Sequence, residues 1–83
     1  MGATSTKVSL ADAVRHLRRR EGLSARALSL KAHLSPSYVG KLEAGEIEPS
    51  VKAFGRIALA LGMNPQEIYY CVVFESLHDL PED

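Results

Sequence analysis

The sequence is poor in the features that mark secreted and membrane proteins. Cys71 is the only cysteine among 83 residues, so neither an internal disulfide nor a cysteine-based zinc site can form. No apolar run approaches the ~20 residues that span a bilayer. Residues 1–6 carry no charged side chain and no apolar core, unlike a signal peptide. We therefore expect a cytoplasmic protein.

Patterns that carry catalysis or bind a metal are also missing. His16, His33 and His78 are too far apart in the sequence to indicate a metal site. No serine stands in a nucleophile arrangement with a histidine and an acid, and no glycine-rich loop could hold a phosphate. We expect no enzyme activity, no metal and no cofactor.

The chain has no net charge, but its charges are unevenly distributed. Residues 7–41 contain eight basic and two acidic residues, a net charge of +6, whereas residues 42–83 contain two basic and eight acidic ones, a net charge of −6. This separation predicts one basic surface, suited to a polyanion such as double-stranded DNA. The alternative is a dipolar surface that has no partner.

Apolar stripes at helical spacing predict helices along most of the chain. The first stripe is formed by Leu10, Val14 and Leu17, and a helix there can begin at Ser9. The predicted helices begin at the N-caps Ser9, Ser24, Ser35 and Ser50, and end near Gly22, Ala32, Gly45 and Gly62. For the third helix, Pro36 fits the first helical position, which needs no N–H.

A capping box at residues 64–67, with proline in its second position, predicts a fifth helix. The residues that follow, 68–74, are apolar or aromatic on every side of a helix. Because they also favour strands, a change from helix to strand remains an alternative for this segment. We assign residues 1–8 to a flexible N-terminus, residues 9–75 to one helical domain and residues 76–83 to an acidic tail.

Residues 24–43 form two short predicted helices joined by a tight turn, the arrangement of a helix-turn-helix unit. The combined sequence resembles the Cro/C1-type (Xre-like) helix-turn-helix family in Leu23-Ser24, Leu28, Leu34-Ser35, Val39, Leu42-Glu43-Ala44-Gly45, Pro49-Ser50 and Leu61-Gly62. The resemblance covers about residues 9–69. It implies an all-α, five-helix bundle of the lambda-repressor-like type that regulates transcription by binding DNA.

The resemblance also implies roles for individual residues. Pro36, Ser37 and Lys41 fall where family members touch bases, and Ser35 and Tyr38 fall near phosphates. We further assign Arg26, at the start of the second helix, and Lys52, at the start of the fourth, to DNA binding. Arg18 and Glu43 fall where the family has an ion pair that orients the recognition helix. The alternative for that pair is a solvated surface contact worth ~0–1 kcal/mol.

The apolar segment predicts a homodimer, because a helix in so small a monomer cannot bury both of its faces. We assign its interface to Ile68, Tyr69, Tyr70, Val72, Val73 and Phe74. The other interpretation is that the segment packs within its own chain. A two-fold dimer would place two recognition helices about 34 Å apart, which matches a palindromic operator.

The sequence departs from the family pattern at several positions. Ala25 replaces a glutamine that often contacts phosphate, Pro36 cannot hydrogen-bond a base, and Gly40 lies inside the recognition helix. Glu46 and Glu48 stand where many relatives carry cations. Ala25, Pro36, Glu46 and Glu48 support an alternative function as a protein-interaction module, or as an antitoxin with a toxin as partner. Activation by a surface that also touches RNA polymerase is a further alternative. The chain is as small as phage repressor-like proteins, antitoxins and restriction–modification controllers, and the sequence does not choose among them. We expect a repressor.

Overall fold

The computed structural model describes residues 9–68, which form four helices and a short fifth one. The helices are α1 (Leu10–Arg20), α2 (Ala25–Lys31), α3 (Tyr38–Glu43) and α4 (Val51–Ala60), and α5 covers residues 65–68. No strand occurs between residues 9 and 68, and none of the helices there is long and apolar enough to cross a membrane. The prediction of an all-α fold is confirmed. Residues 1–8 and 69–83, which include the rest of the apolar segment and the acidic tail, lie outside the described residues.

Serine caps start three of the helices, as predicted. The side chains of Ser9, Ser24 and Ser50 accept hydrogen bonds from the backbone N–H three residues later, at 3.1, 3.0 and 3.0 Å. The capping box also forms, because the Asn64 N–H donates to Glu67 Oε1 at 2.8 Å. These bonds satisfy N–H groups that have no carbonyl partner within their own helix.

The third helix begins later than predicted. It starts at Tyr38, its N-cap is Ser37, and the Ser37 hydroxyl makes no capping bond. Pro36 lies in a preceding turn that is closed by the Tyr38 N–H donating to the Ser35 carbonyl at 3.0 Å. The prediction that Ser35 caps this helix, with Pro36 at its first position, is therefore wrong. The bond that a cap would make in the first turn of α3 comes from a neighbouring helix: the Val39 N–H donates to the Ser29 hydroxyl of α2.

The inward faces of the helices meet in one apolar core. α3 packs against α1 and α2, and α4 packs against α2. The largest side chains of this core that are fully buried are Leu17, Leu28, Ile57, Ile68, Val14 and Val39. Ile68 is 0% exposed in the single chain, so it belongs to the intramolecular core. Its assignment to a dimer interface is wrong, because it offers a partner no surface.

The turn between α2 and α3 contains a strained residue. Three other helix ends use Gly22, Gly45 and Gly62 at φ values of 72°, 78° and 73°, whereas His33 adopts a φ of 60°. A residue with a Cβ atom pays a steric cost in this left-handed region. The His33 carbonyl accepts a weak hydrogen bond from Arg56 Nη1 at 3.4 Å, and the side chain is exposed.

Replacement of His33 by glycine should stabilise the fold. We expect His33→Gly to raise the free energy of unfolding by about 1 kcal/mol, because the steric cost of the left-handed backbone disappears. Urea denaturation of the two proteins measures this difference. Gly62→Ala is the matched control and should lower stability, because it creates the same strain at another helix end. Equal or lower stability of His33→Gly would show that the turn is not strained.

Candidate nucleic-acid interface

Helix α3, the second helix of the predicted helix-turn-helix unit, has one buried and one exposed face. Val39 and Leu42 point into the core, while Ser37, Gly40 and Lys41 are exposed. Ala44, directly after the helix, continues the exposed face and was not among the residues assigned to DNA binding from the sequence. These four positions follow helical spacing, so they lie side by side on one surface. The result is a narrow surface of small and polar side chains on which a ligand can approach the helix closely.

The turn and α3 bring together five of the predicted DNA-binding residues. Ser35, Pro36 and Ser37 are exposed before the helix, Lys41 is exposed on it, and Tyr38 is half-buried. The two others lie on separate helices: Arg26 is exposed in the first turn of α2, and Lys52 is exposed in the first turn of α4. Within residues 9–68, the cations Arg26, Lys41 and Lys52 make no hydrogen bond or ion pair. Their charges are therefore available to an external anion.

Gly40 lies in the middle of the exposed face of α3. A Cβ atom added at this position would meet no other atom within 4 Å. Inside a helix, glycine costs about 1 kcal/mol relative to alanine. The packing of the described chain therefore gives no reason for a glycine here.

The C-terminal end of α3 is held by an ion pair with α1. Arg18 Nε donates to Glu43 Oε2 at 2.7 Å, and Arg18 Nη2 donates to Glu43 Oε1 at 2.8 Å. The side chains are only 12% and 8% exposed, so the pair is shielded from water. Arg18 Nη1 also donates to the carbonyl of Leu23, the residue before the N-cap of α2, at 2.9 Å. This bond connects α1 to the start of α2. The hydrogen bond to Glu43 raises the pKa of Arg18 above its ordinary value, against the opposing effect of burial.

A second arginine, Arg15, reaches the same end of α3. Arg15 Nη2 donates to the Glu43 carbonyl at 2.8 Å, and Arg15 Nε lies 3.5 Å from Glu43 Oε1. Arg15 was not among the residues assigned from the sequence, although its spacing of three from Arg18 places both on one side of α1. A carboxylate at a helix C-terminus is unfavourable by itself. The two arginines offset that cost, and one of them also satisfies a terminal carbonyl.

The Arg18–Glu43 pair should show strong energetic coupling. We expect Glu43→Ala to lower the free energy of unfolding by about 3 kcal/mol, because it leaves Arg18 shielded and without its carboxylate. In a double-mutant cycle, Arg18→Ala and Glu43→Ala should couple by about 1–3 kcal/mol. Asp12→Asn, which breaks the exposed Asp12–Arg15 contact, is the control and should cost at most about 1 kcal/mol. Coupling near zero would favour the solvated-pair alternative.

Two short helices packed across a tight turn, with the second exposing a polar face, define a helix-turn-helix protein. A family model described as a helix-turn-helix domain matches residues 9–68, and the chain belongs to this family. Among residues 9–68, no three histidine, cysteine, aspartate or glutamate side chains come together as a group that could hold a metal ion.

Two solved structures of other proteins resemble the chain. The restriction-modification controller protein C.AhdI from Aeromonas hydrophila is 34% identical, over 74% of this chain and 92% of that protein, with a TM-score of 0.69. The clp gene regulator ClgR from Corynebacterium glutamicum is 26% identical, over 82% of this chain and 72% of that protein, with a TM-score of 0.73. No curated protein matches the chain significantly. Family and neighbours identify the protein as a DNA-binding regulator of transcription.

Proposed function

We propose that the protein binds a palindromic operator as a homodimer and represses transcription by occupying promoter DNA. The observation that carries this proposal is the exposed face of α3, where Ser37, Gly40 and Lys41 lie side by side while both ends of the helix are bonded to the rest of the domain. An α-helix of this kind fits the major groove of B-DNA. The protein acts in the cytoplasm and without catalysis.

In this proposal Ser37 and Lys41 read bases. The Ser37 hydroxyl can donate to or accept from either base type, and the Lys41 ammonium can donate to guanine O6 or N7. Gly40 lies between them and allows the helix backbone to approach the bases. Pro36 has no N–H, so it contributes only contact with base or sugar atoms. Tyr38 is half-buried, which leaves part of its ring and its hydroxyl to meet the DNA.

Phosphate binding is assigned to Arg26, Ser35 and Lys52. All three side chains are exposed. The two cations among them have no ion-pair partner in the described part of the chain, so DNA would not have to displace one. Charges of this kind release counterions from DNA when they bind, which adds affinity independently of sequence. The net positive charge of residues 7–41, which include α2 and most of α3, also supports an orientation in which these helices face the DNA.

The homodimer is supported by the number of apolar side chains near the C-terminus, because so small a monomer cannot bury all of them in its own core. Tyr69, Tyr70, Val72, Val73 and Phe74 remain assigned to the interface, and they lie outside the described residues. In α4, Leu59 is 72% exposed and adds apolar surface shortly before α5. A dimer also doubles the number of phosphate contacts, which compensates for the absence of net charge.

One similar protein is named a restriction-modification controller and the other a clp gene regulator, which supports a regulatory role for this chain. The competing proposal is a protein-interaction module or antitoxin that keeps the fold and has lost DNA reading. It is favoured by Glu46 and Glu48, whose exposed carboxylates between α3 and α4 would repel phosphates. The experiments below separate the two proposals.

Substitution of the base-reading residues should change sequence preference. We expect Ser37→Ala and Lys41→Ala each to alter discrimination at one operator position by about 1–3 kcal/mol, because a base contact is lost. Competition binding with operators that carry single base changes measures this effect. Ser9→Ala, which removes a serine from the start of α1, is the control and should leave preference unchanged. Unchanged preference in both α3 variants would refute the assigned base contacts.

Substitution of Arg26 should weaken binding to all sequences alike. We expect Arg26→Ala to lower the slope of log affinity against log salt by about one unit, because one phosphate contact is lost. The affinity for operator and for random duplex should fall by similar factors. Lys31→Ala removes the same charge from the other end of α2 and should leave the salt slope unchanged. Equal salt slopes for Arg26→Ala and the unaltered protein would exclude a phosphate contact at Arg26.

The proposed function as a whole is tested by selecting binding sites from a randomised duplex library near physiological salt. We expect enrichment of a palindrome whose half-sites are one helical turn apart, because a two-fold dimer presents two copies of α3. Sedimentation at micromolar concentration should show a dimer, with and without DNA. A folded protein that enriches no sequence would favour the interaction module, and a monomer under all conditions would remove the homodimer.

A further inference from the structure

Ser29 is the buried polar side chain of the helix-turn-helix unit. It is 0% exposed and lies in α2 beside Leu28, at the surface where α2 meets α3. A hydroxyl in such a place costs free energy unless it is hydrogen-bonded. Burial of this serine therefore requires partners on the neighbouring backbone.

The Ser29 hydroxyl finds a partner in each of two helices. It donates to the Ala25 carbonyl of α2 at 2.9 Å and accepts from the Val39 N–H of α3 at 2.9 Å. The Val39 N–H is one of the first N–H groups of α3, which have no carbonyl partner inside the helix. Ser29 thus supplies, from another helix, the acceptor that an N-cap side chain usually supplies.

The other serine-capped helices show what this arrangement changes. In α1, α2 and α4, the N-cap hydroxyl of Ser9, Ser24 or Ser50 is engaged by a backbone N–H of its own helix. In α3, the N-cap hydroxyl of Ser37 makes no such bond and is exposed. The Ser37 backbone, at ψ 1°, also differs from the extended backbone of the three other caps, at ψ 163–164°. The first turn of α3 is therefore bonded by Ser29 and not by its own N-cap.

We propose that Ser29 is a positioning residue for DNA reading: it caps α3 from α2, fixes the start of the recognition helix and leaves the Ser37 hydroxyl available to a base. The inference rests on the proposed role of Ser37. Without the Ser29 hydroxyl, the Val39 N–H loses its acceptor. The first turn of α3 would then lose its bond to α2, and the Ser37 hydroxyl at the start of that turn would lose its fixed position toward the DNA.

The test begins with the free protein. Hydrogen exchange should show that protection of the Val39 amide falls about tenfold in Ser29→Ala, beyond any change at Leu42 and Ile57. Ser29→Cys fills the same space with a weaker acceptor and is the second variant, expected to act in the same direction. Ser50→Ala, which removes the cap of α4, is the control and should leave Val39 protected. Unchanged Val39 protection in both Ser29 variants would overturn the capping role without any reference to DNA.

Binding then tests the positioning role. Operators with single base changes should show that Ser29→Ala relaxes preference at the same position as Ser37→Ala, and that the double variant relaxes it no further. Ser50→Ala should leave preference unchanged. Independent, additive losses, or full preference in Ser29→Ala despite an unprotected Val39 amide, would reduce Ser29 to a structural residue and overturn the proposal. Absence of any effect of Ser37→Ala alone would instead refute the proposed base contact, and the positioning role with it.

Discussion

The contact between the Glu43 carboxylate and the arginines of α1 is the interaction on which the arrangement of the domain depends. It joins the end of α3 to α1, and through the Leu23 carbonyl it reaches the start of α2. A bidentate arginine–carboxylate pair fixes orientation as well as distance. Because the pair is shielded from water, the three helices cannot rotate independently without leaving a charge without its partner.

The recognition helix shows why such bonds are needed. α3 has six residues, too few to be stable as an isolated helix. Val39 and Leu42 bury its apolar face, Ser29 bonds its first turn, and Arg15 and Arg18 bond its last residue. Other helices hold its buried face and both of its ends, and the exposed face is free for the proposed contact with DNA. In this proposal, stability and recognition use different sides of the same short helix.

Local signals predicted most of the fold, whereas contacts between helices were predicted only in part. Serine caps, a capping box and stripes such as Leu10–Val14–Leu17 act over three or four residues, so the sequence displays them directly. The start of α3 was misplaced because its cap comes from Ser29, ten residues earlier, and a buried serine looks like any polar residue in a sequence. Arg15 was overlooked because its partner, Glu43, lies 28 residues away in the sequence. Ile68 was assigned to a partner's surface because periodicity does not tell which apolar residues the chain buries itself.

NMR can test whether this domain reads DNA with the exposed face of α3. Backbone amide shifts would be followed while the selected operator duplex is added to the isotope-labelled protein. The account predicts the largest changes at residues 35–41 and at Arg26, with small changes at the core amides of Leu17 and Ile57. Changes centred on α1 or on residues 46–50, with α3 unaffected, would contradict it.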